Sequence, residues 1–333
     1  MSPLRWGIAS AGKISHDFCC ALSTLPADDH SVVAVAARSL ASAQDFAKLH
    51  NIPTAYEGYE KLARDPNVDV VYIGAVNPAH FAIGMLMLDH GKHILCEKPL
   101  CMNEKQSKKL LDHAKSKKLF CMEGLWSRFF PAYQYVKERI ANGDLGEMQE
   151  VTVNFGFDLR GIERLEKKSL GGGTILDLGV YVIQASLWGL KSTPTSIKAE
   201  GKLNSEGVDM EVKAIMEFPN GAVAKVHTSA LEQLDNLATF RGTKGSIVLH
   251  QFWCAIKLVD VDGKVKEWPL PKAKLDINFF NSEGFRFEAE AVRKCLQNGL
   301  LEHPDATHEE SLRIARIQDE FRKQVGVKFD EDN

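Results

Sequence analysis

The stretch GGGTILDLGVY, residues 171–181, combines three glycines with a carboxylate and a phenol. Asp177 and Tyr181 are four residues apart, so in a helix they share one face, one turn apart. Two interpretations are open: a buried phenol with its hydrogen-bond partner, or a pair that transfers a proton in catalysis. The glycines allow the helix start to pass close to a ligand or to another domain.

A second candidate site is the segment GIASAGKIS, which follows the first apolar run. The dinucleotide fingerprint G-x-G-x-x-G has glycines at three positions, which here hold Ser10, Gly12 and Ser15. This pattern alone is weak, but it follows an apolar strand and opens a helix, as anion-binding turns do. We therefore predict dinucleotide binding at Ser10, Gly12, Lys13 and Ile14.

The end of the second strand, AVAARSL, indicates which nucleotide is bound. NAD sites usually hold an acid there, which binds the ribose 2′-hydroxyl. This chain has no acid at that point and places Arg38 at the strand tip, where a guanidinium can pair with a 2′-phosphate. Arg38 could instead be a solvated loop cation, but the missing acid favours NADP.

The elements that would position these residues differ between the two parts of the chain. In residues 1–124, helical stretches alternate with the apolar runs RWGIAS, SVVAVAAR, VDVVYIGA, KHILCEKP and LFCMEG. Near-continuous apolar strands are typical of a parallel sheet covered on both faces. We predict an α/β fold in which residues 1–124 form a Rossmann domain with a doubly wound parallel sheet.

Residues 125–333 are predicted to form a second α/β domain, for substrate binding and dimerisation, with an open, mostly antiparallel sheet. A helix near 131–142 precedes the alternating strand EMQEVTVNFGFDLR, and the turn signals PNGA, GTKGS and DVDGK separate later strands. Those strands are expected at 195–202, 209–218, 221–231, 236–241, 245–250, 254–260 and 263–268. Two helices, 283–298 and 306–325, follow.

Composition narrows the classes of function. The chain has 333 residues, 44% hydrophobic and 26% charged, with a net charge of −3. These values are typical of a two-domain globular protein and favour neither nucleic acid nor a membrane surface as partner. We expect no apolar run of the roughly 20 residues that span a bilayer, and no signal peptide, because the first strand starts early.

The cysteines and histidines bear on compartment and metal binding. Seven irregularly spaced cysteines predict reduced, partly buried thiols and a cytoplasmic location. His90 and His93 form H-x-x-H without a neighbouring group of thiols or acids, so no metal site is expected there.

Several segments match the signatures of a known family. They are EKP (Glu97–Pro99), GGGTILDLG (Gly171–Gly179), ARSL, NPAH and GTKGS. With them the chain resembles the glucose–fructose oxidoreductase and inositol dehydrogenase family over nearly its whole length. LRWGIAS, CEKP, WSRFFP, LDLGVY and FRGTKGSIVL are similar to a branch that oxidises trans-dihydrodiols and D-xylose with NADP. The resemblance implies a substrate site where the two domains meet and a homodimer formed through the outer face of the open sheet.

The resemblance also implies roles for three residues. Lys98 is the active-site lysine, Asp177 the acid and Tyr181 the proton-transfer group. A free phenol has a pKa of about 10, so Tyr181 needs nearby positive charge, which Lys98 and the oxidised nicotinamide supply. Asp177 opposes ionisation of the phenol, so its expected role is to hold Lys98 or the substrate hydroxyl.

Two departures from the family pattern matter. Many relatives carry histidine where this chain has Tyr181, and tyrosine there argues against activity like that of inositol dehydrogenase. Ala41 and Ser42 stand where some relatives have a further basic residue, so the NADP preference depends mainly on Arg38.

His80 follows AVNP at the tip of the fourth strand, where parallel sheets present ligand-facing loops. It either contacts the nicotinamide ribose or the substrate, or it is a structural histidine at a helix start. Asn77 in NPAH, and Glu97 and Lys98 in EKP, are assigned to the cofactor site together with it.

Several aromatic residues could line a pocket for a flat cyclic diol or a sugar. We assign Trp126, Phe157 and Phe279 to the substrate site, with Phe155 on the same side of its strand as Phe157. Core packing is the alternative for each of them.

The resemblance therefore implies NADP-dependent oxidation of trans-1,2-dihydrobenzene-1,2-diol to catechol, of D-xylose at C1, or of both. One alternative is a related reductase of another sugar or carbonyl compound. Another is a non-catalytic NADP-binding protein, which the presence of Lys98, Asp177 and Tyr181 disfavours. A short-chain dehydrogenase is disfavoured because Ala185 stands where its lysine would follow the tyrosine, and a zinc alcohol dehydrogenase for lack of a ligand set.

Overall fold

The computed structural model describes residues 2–333, which form two compact units. Unit 1 comprises residues 2–101, 105–126 and 270–311. Unit 2 comprises residues 102–104, 127–269 and 312–333. The predicted boundary between residues 124 and 125 lies near the change of unit at Trp126, but the return of residues 270–311 to unit 1 was not predicted.

Within residues 2–333 the strands are β1 (Leu4–Ala9), β2 (His30–Ala37), β3 (Thr54–Glu57), β4 (Val70–Ile73), β5 (His93–Cys96), β6 (Cys121–Glu123), β7 (Met148–Gly156), β8 (Ser196–Leu203), β9 (Asp209–Glu217), β10 (Val223–Ser229), β11 (Leu237–Gly242), β12 (Gly245–His250), β13 (Lys257–Val259) and β14 (Val265–Glu267). The α-helices in the same residues are α1 (Lys13–Leu22), α2 (Leu40–His50), α3 (Tyr59–Arg64), α4 (His80–Asp89), α5 (Glu104–Lys117), α6 (Pro131–Ala141), α7 (Glu163–Glu166), α8 (Val180–Leu190), α9 (Phe285–Gln297) and α10 (His308–Val325).

Unit 1 is built on a parallel sheet with the strand order β3-β2-β1-β4-β5-β6. This is the order of a dinucleotide-binding doubly wound sheet, in which ligands bind at the carboxyl ends of the strands. The central strands are apolar and buried because helices cover both faces: every residue of β4 is buried, as are the last four of β1 and of β2. The predicted Rossmann fold of this part is confirmed.

Strand β3 and helix α3 were not predicted from the sequence. The four residues of β3, Thr54–Glu57, are only partly buried or exposed, because the strand lies at the edge of the sheet and pairs with β2 alone. A short edge strand needs no apolar run, so it leaves little signal in the sequence.

Residues 270–311 belong to unit 1 because they pack on α1. The ring of Phe285 in α9 lies 6.1 Å from that of Phe18 and stacks at 4.3 Å on Trp126. The buried Asp17 carboxylate of α1 accepts hydrogen bonds from the backbone N–H groups of Asn278 and Phe279, each at 2.8 Å. These contacts depend on residues far apart in sequence, which explains why sequence patterns did not reveal them.

Unit 2 is built on a mostly antiparallel sheet with the order β14-β13-β12-β11-β7-β10-β9-β8, in which β7 and β10 run parallel. Helix α8 packs on one face of this sheet. At Gly189 the helix approaches so closely that an added Cβ would lie 2.7 Å from the Phe240 ring and 2.8 Å from Val151. The predicted open, mostly antiparallel sheet is confirmed.

The other face of this sheet, which we call the outer face, carries polar and charged side chains. Along β7, Val151, Val153 and Phe155 are buried against α8, whereas the alternate residues Thr152 and Asn154 are only partly buried. Because successive side chains of a strand point to opposite faces, the second set belongs to the outer face.

One segment of unit 2, Lys168–Leu190, is long and apolar enough to span a membrane, and its most apolar 18-residue window has a mean hydropathy of 1.3. The expectation that no run of such length exists was therefore wrong. Of its most apolar window, 94% is buried inside the protein, and all eleven residues of α8 are buried. Burial of this degree identifies the segment as the core helix of unit 2.

Candidate active site

The fingerprint segment joins β1 to α1 in unit 1. Ser10 N donates to Ala36 O at 2.9 Å, and the φ angle of Ser10 is 87°, a left-handed conformation uncommon for residues other than glycine. Gly12 precedes α1, and no side chain caps the first-turn N–H groups of that helix. These N–H groups therefore lack an intrahelical partner and a side-chain partner alike.

Gly12 has room on the protein side. A Cβ added there would lie 3.7 Å from Gly74 O and 3.9 Å from Ser10 Oγ, which are ordinary van der Waals distances. Packing within unit 1 therefore does not require glycine at this point. An uncapped helix start next to bare backbone fits the phosphates of a nicotinamide dinucleotide. Ser10, Gly12, Lys13 and Ile14 lie together at this start.

Ser15 occupies the position of the third fingerprint glycine and is fully buried. At the end of β4 stands Gly74, where an added Cβ would clash with Ser15 Oγ and lie 3.0 Å from Ile14 Cγ2. The third glycine normally permits helix and strand to approach closely, and here a glycine on the strand has that function. Gly74 was not predicted as a site residue, because nothing in VYIGAV shows which helix it faces.

Arg38 lies between β2 and α2 and is exposed. Ser39 caps α2, with its Oγ accepting from Ser42 N at 3.2 Å. Within residues 2–333 Arg38 forms no ion pair, so its guanidinium can bind an external anion.

His80 begins α4 and is fully buried. Its Nδ1 lies 2.8 Å from Pro99 O and its Nε2 lies 3.0 Å from Ala75 O. Burial lowers the pKa of His80. Because both ring nitrogens contact backbone carbonyls, the geometry favours the structural interpretation, in which His80 joins the EKP segment to the end of β4.

The EKP segment follows β5. Glu97 is buried and accepts a hydrogen bond from Tyr72 Oη at 2.6 Å, and burial together with the Glu97 charge raises the pKa of Tyr72. Leu100 N donates to the buried Glu123 at 3.0 Å. Lys98 thus lies between Glu97, whose side chain binds Tyr72, and Leu100, whose backbone N–H binds Glu123. Lys98 itself is half-buried.

Asn77 lies in the short turn Asn77–Ala79 before α4.

Asp177 and Tyr181 lie in unit 2 at the junction of two helical segments. Ile175–Gly179 forms a π-helical turn and α8 begins at Val180. The two residues are 7% and 8% exposed. Their spacing keeps them on one side of the helix, and π-turns within helices are frequent at functional sites.

Arg164 of α7 binds Asp177 through two hydrogen bonds, from Nη1 to Oδ1 at 3.1 Å and from Nη2 to Oδ2 at 3.2 Å. The negative charge of Asp177 raises the pKa of Arg164, and Tyr181 adds a smaller effect in the same direction. The guanidinium therefore lies within electrostatic reach of both residues. Arg164 was not predicted as a site residue, because it is one of several cations in LRGIERLEKK.

Asp209 of β9 holds the start of this helix. It is fully buried and accepts hydrogen bonds from Ile175 N at 2.7 Å and Thr174 Oγ1 at 2.8 Å. Thr174 Oγ1 also bonds Thr228 Oγ1 at 3.0 Å. Burial raises the pKa of Asp209 to about 6. The helix that carries Asp177 and Tyr181 thus begins on a carboxyl group supplied by the neighbouring strand.

A cluster of aromatic rings lies on one side of Tyr181 within unit 2. Phe155 lies edge-to-face with Tyr181 at 5.4 Å and stacks at 4.6 Å on Trp253. Phe157 contacts both Phe155 and Trp253 at 5.6 Å. Of the three predicted substrate aromatics, Phe157 therefore belongs to this cluster, and Trp253 is a member that sequence analysis missed.

The other two predicted substrate aromatics belong to unit 1. Trp126 is buried and stacks on Phe285, which is the packing alternative considered for it. Phe279 is 42% exposed, and its backbone N–H binds Asp17. Both remain predictions as substrate contacts.

Two clusters of side chains within residues 2–333 bring potential metal-ligand atoms within 4.8 Å of one another, and neither includes His90 or His93. They are His16, Cys20 and His50 in unit 1, and Glu211, His227 and Glu232 in unit 2. In the first cluster His16 bonds His50 at 2.9 Å and lies 3.3 Å from Cys20 Sγ. These hydrogen bonds explain why its three side chains lie together.

Two family models match the chain. Residues 4–125 match the oxidoreductase family with an NAD-binding Rossmann fold, and residues 133–248 match the GFO/IDH/MocA C-terminal domain. Together with the parallel sheet and its fingerprint, these matches define a two-domain oxidoreductase that binds a nicotinamide cofactor.

Curated relatives match over the full length. Trans-1,2-dihydrobenzene-1,2-diol dehydrogenase of Danio rerio is 44% identical over 332 residues, which cover 99% of each chain. The protein of the same name from Homo sapiens is 42% identical over 331 residues, with the same coverage. The chain belongs to the GFO/IDH/MocA family, as its sequence motifs predicted. It is an enzyme that acts on CH–OH groups of a small-molecule substrate.

Solved structures share the fold at lower identity. Aldose-aldose oxidoreductase from Caulobacter crescentus, complexed with glycerol, superposes with a TM-score of 0.85 at 18% identity and covers 97% of this chain and 98% of its own. Levoglucosan dehydrogenase, in complex with NADH and levoglucosan, has a TM-score of 0.84 at 22% identity, with 98% of each chain covered.

Proposed function

We propose that this chain oxidises trans-dihydrodiols with NADP, converting trans-1,2-dihydrobenzene-1,2-diol to catechol, and that D-xylose is a second substrate, oxidised at C1. The Asp177–Tyr181 pair, buried beside an aromatic cluster, carries the proposal. The full-length relatives, at 41–44% identity, bear the name of the diol activity.

Oxidation removes the proton of a substrate hydroxyl group and a hydride from the carbon that bears this hydroxyl. When bound, the oxidised nicotinamide supplies the hydride acceptor. The chain's own residues bind the diol, exclude water and accept the proton at Tyr181 Oη. For a dihydrodiol, the hydroxy-dienone that results tautomerises to catechol, so the net change is the loss of one hydride and one proton.

Tyr181 must be ionised to accept the proton, since general base catalysis requires the basic form at the operating pH. Lys98 is proposed to supply positive charge to the phenolate and the substrate oxygen. The rate of alcohol oxidation should therefore rise with pH as the phenol ionises, and in a slow Lys98→Met variant that rise should lie at higher pH.

NADP is the proposed cofactor because Arg38 stands at the β2 tip without an ion-pair partner within residues 2–333. Arg38→Asp replaces an attraction to the 2′-phosphate by a repulsion. We expect it to weaken NADP binding and to favour NAD relatively, as measured by equilibrium binding of both cofactors. Equal affinity of the wild-type enzyme for NADP and NAD would contradict this assignment.

The substrate is tested by following NADPH absorbance with purified protein across matched panels of trans-diols and aldoses. We expect turnover of trans-1,2-dihydrobenzene-1,2-diol, with D-xylose the best of the aldoses. Turnover of another sugar alone, or reduction of a carbonyl compound without diol oxidation, would replace the proposal by the related-reductase alternative.

We propose that two copies pair through the outer face of the unit 2 sheet. On that face Ile215 is 46% exposed, and a cavity of about 490 Å³ is lined by residues that include Thr152, Asn154 and His227. Light scattering at low micromolar concentration should report twice the 37.0 kDa chain mass. A wild-type monomer would contradict the pairing, and Ile215→Lys should weaken it.

We also propose that the protein is located in the cytoplasm. All seven cysteines are buried, and none forms a disulfide bond within residues 2–333, as expected for a reducing compartment. Imaging of the tagged full-length protein in its own cells tests this, and a secreted product would contradict it.

A further inference from the structure

Arg164 makes a direct charged contact to Asp177 of the predicted catalytic pair. Its guanidinium reaches both oxygens of Asp177, at 3.1 and 3.2 Å. The Asp177 side chain is 10% exposed and that of Arg164 46%. Such two-point pairs fix the orientation of the carboxylate as well as its charge.

This pair resolves a conflict in the chemistry proposed for Tyr181. A carboxylate close to a phenol opposes its ionisation, and oxidation requires that ionisation. A cation bound to the carboxylate offsets its charge. The effect of Tyr181 on the pKa of Arg164 indicates that the guanidinium also lies near the phenol.

We propose that Arg164 is a positioning residue for the oxidation reaction: it orients the Asp177 carboxylate and balances its charge, so that Tyr181 can accept a proton beside an acid. This inference rests on the proposed function of Tyr181. Within unit 2, the positive charge beside Asp177 then comes from Arg164, a residue that lies outside the family motifs.

The other charged groups around this site have partners of their own. On the Arg164 helix, Glu163 pairs with Lys167 at 2.5 Å, and Glu166 accepts from Gly161 N at 2.7 Å. Behind the helix start, Asp209 is held by Ile175 and Thr174.

Strand β7, packed against the helix of Tyr181, presents the uncharged Phe155 ring to the phenol. Lys98, in unit 1, is the further charge that the proposed function places at the substrate. Arg164 is thus a cation of unit 2 whose replacement directly changes the charge beside Asp177.

A purely structural role for Arg164 predicts a different result from a charge-balancing role. If Arg164 only anchored the segment before the glycines, its loss would lower the rate equally at every pH. If it balances Asp177, its loss moves the rising limb of the pH profile to higher pH, and lysine restores part of that shift.

The chain offers a matched control. Arg160, four residues earlier, binds Asp158 through two hydrogen bonds, at 2.8 and 2.5 Å, and its side chain is 64% exposed. Arg160→Gln removes the same kind of pair from the surface of the same segment. Exposed pairs of this kind contribute little to stability, so this variant should keep the wild-type rate and pH profile.

The test measures kcat/KM for NADP-dependent diol oxidation against pH in the wild type, Arg164→Gln, Arg164→Lys and Arg160→Gln. For Arg164→Gln we expect the rising limb to move up by about one pH unit, the lower end of the effect of a neighbouring opposite charge. The rising limb of Arg164→Lys should lie between those of the wild type and Arg164→Gln. The limb of the double variant, Arg164→Gln with Asp177→Asn, should return toward that of the wild type. An unchanged limb in a folded Arg164→Gln variant overturns the proposal.

A second readout is independent of turnover. Tyrosinate absorbance is titrated in the wild type, in Arg164→Lys and in Arg164→Gln, each compared with the same protein carrying Tyr181→Phe. The difference isolates the Tyr181 phenol, which should ionise at higher pH once Arg164 is replaced. If the wild type oxidises no diol or aldose, the proposed function fails, whereas identical phenol titrations in the three backgrounds overturn the role of Arg164. If Arg164→Gln does not fold, the Tyr181 phenol is compared between the wild type and Arg164→Lys alone, and identical titrations of these two proteins overturn the role of Arg164.

Discussion

The helix that follows Gly12 in unit 1 and the helix that follows Gly173 in unit 2 begin in opposite ways. At the start of α1 in unit 1, Gly12 has space around it and no side chain caps the first N–H groups. At the helix start in unit 2, Gly173 has a φ of 107°, and an added Cβ would clash with the buried carboxyl group of Asp209. That carboxyl accepts the hydrogen bond of Ile175 N.

The difference separates two uses of the same structural element. A helix N-terminus attracts negative charge. In unit 1 that charge must come from outside, and the open backbone fits the phosphates of a dinucleotide. In unit 2 the protein supplies the charge itself through Asp209, so the helix start becomes a rigid support for Asp177 and Tyr181.

The largest effect should come from Gly173→Ala. The left-handed φ strains alanine, and the clash with Asp209 adds overpacking, each costing about 1–3 kcal/mol. We expect a loss of about 4 kcal/mol in the free energy of unfolding, measured with denaturant. Gly221→Ala is the control, because Gly221 also has a positive φ, of 79°, but nothing lies within 4 Å of the added Cβ. Equal losses in the two variants would contradict the close approach to Asp209.

A smaller effect is expected for Asp209→Asn, and it should depend on pH. Asp209 has a pKa of about 6 in the fold and 3.8 as its reference value. Because folding raises the pKa of Asp209, the carboxyl group contributes its full stabilisation below pH 3.8, the reference pKa. This contribution is lost as the pH rises through about 6. A difference of two units corresponds to about 3 kcal/mol.

The wild type should therefore lose about 3 kcal/mol relative to Asp209→Asn between about pH 4 and pH 7. Unfolding measured across this range checks the prediction. A stability difference between the two proteins that stays constant with pH would show that the carboxyl titrates normally.

The smallest effect on stability should be that of Gly12→Ala, which should weaken cofactor binding and leave the stability of the apo enzyme nearly unchanged. The added methyl has room within the protein, so the free energy of unfolding of the apo enzyme should change by less than about 0.5 kcal/mol. Crowding against the cofactor should cost about 1–3 kcal/mol of binding, roughly a ten- to hundredfold weaker affinity for NADP. Unchanged affinity in equilibrium titration would remove Gly12 from the cofactor site and with it the contrast between the two helix starts.

Much of the fold was predictable because local patterns determine it. The apolar runs of the parallel sheet and the turns PNGA and GTKGS correspond to observed strands and connections. β3 was missed because an edge strand buries little. The placement of residues 270–311 in unit 1 depends on Asp17 and Phe285, whose partners lie about 160 or more residues away in sequence.

The site was predictable where one segment carries its own chemistry, as for Asp177 with Tyr181 and for Gly12 before α1. Gly74, Arg164, Asp209 and Trp253 were missed because their roles arise only when separate segments meet. A buried acid in a strand and a cation among several others look ordinary in a sequence, and only the hydrogen bonds they form distinguish them.

The central claim is that Tyr181 accepts the proton in diol oxidation. Tyr181→Phe removes one hydroxyl group, so the fold and NADP affinity should persist, while general base catalysis, worth about 10²–10⁴ in rate, is lost. We predict that kcat for NADP-dependent oxidation of trans-1,2-dihydrobenzene-1,2-diol falls by that factor in the variant. A kcat near that of the wild type would instead make Tyr181 a core phenol and would contradict the proposed mechanism.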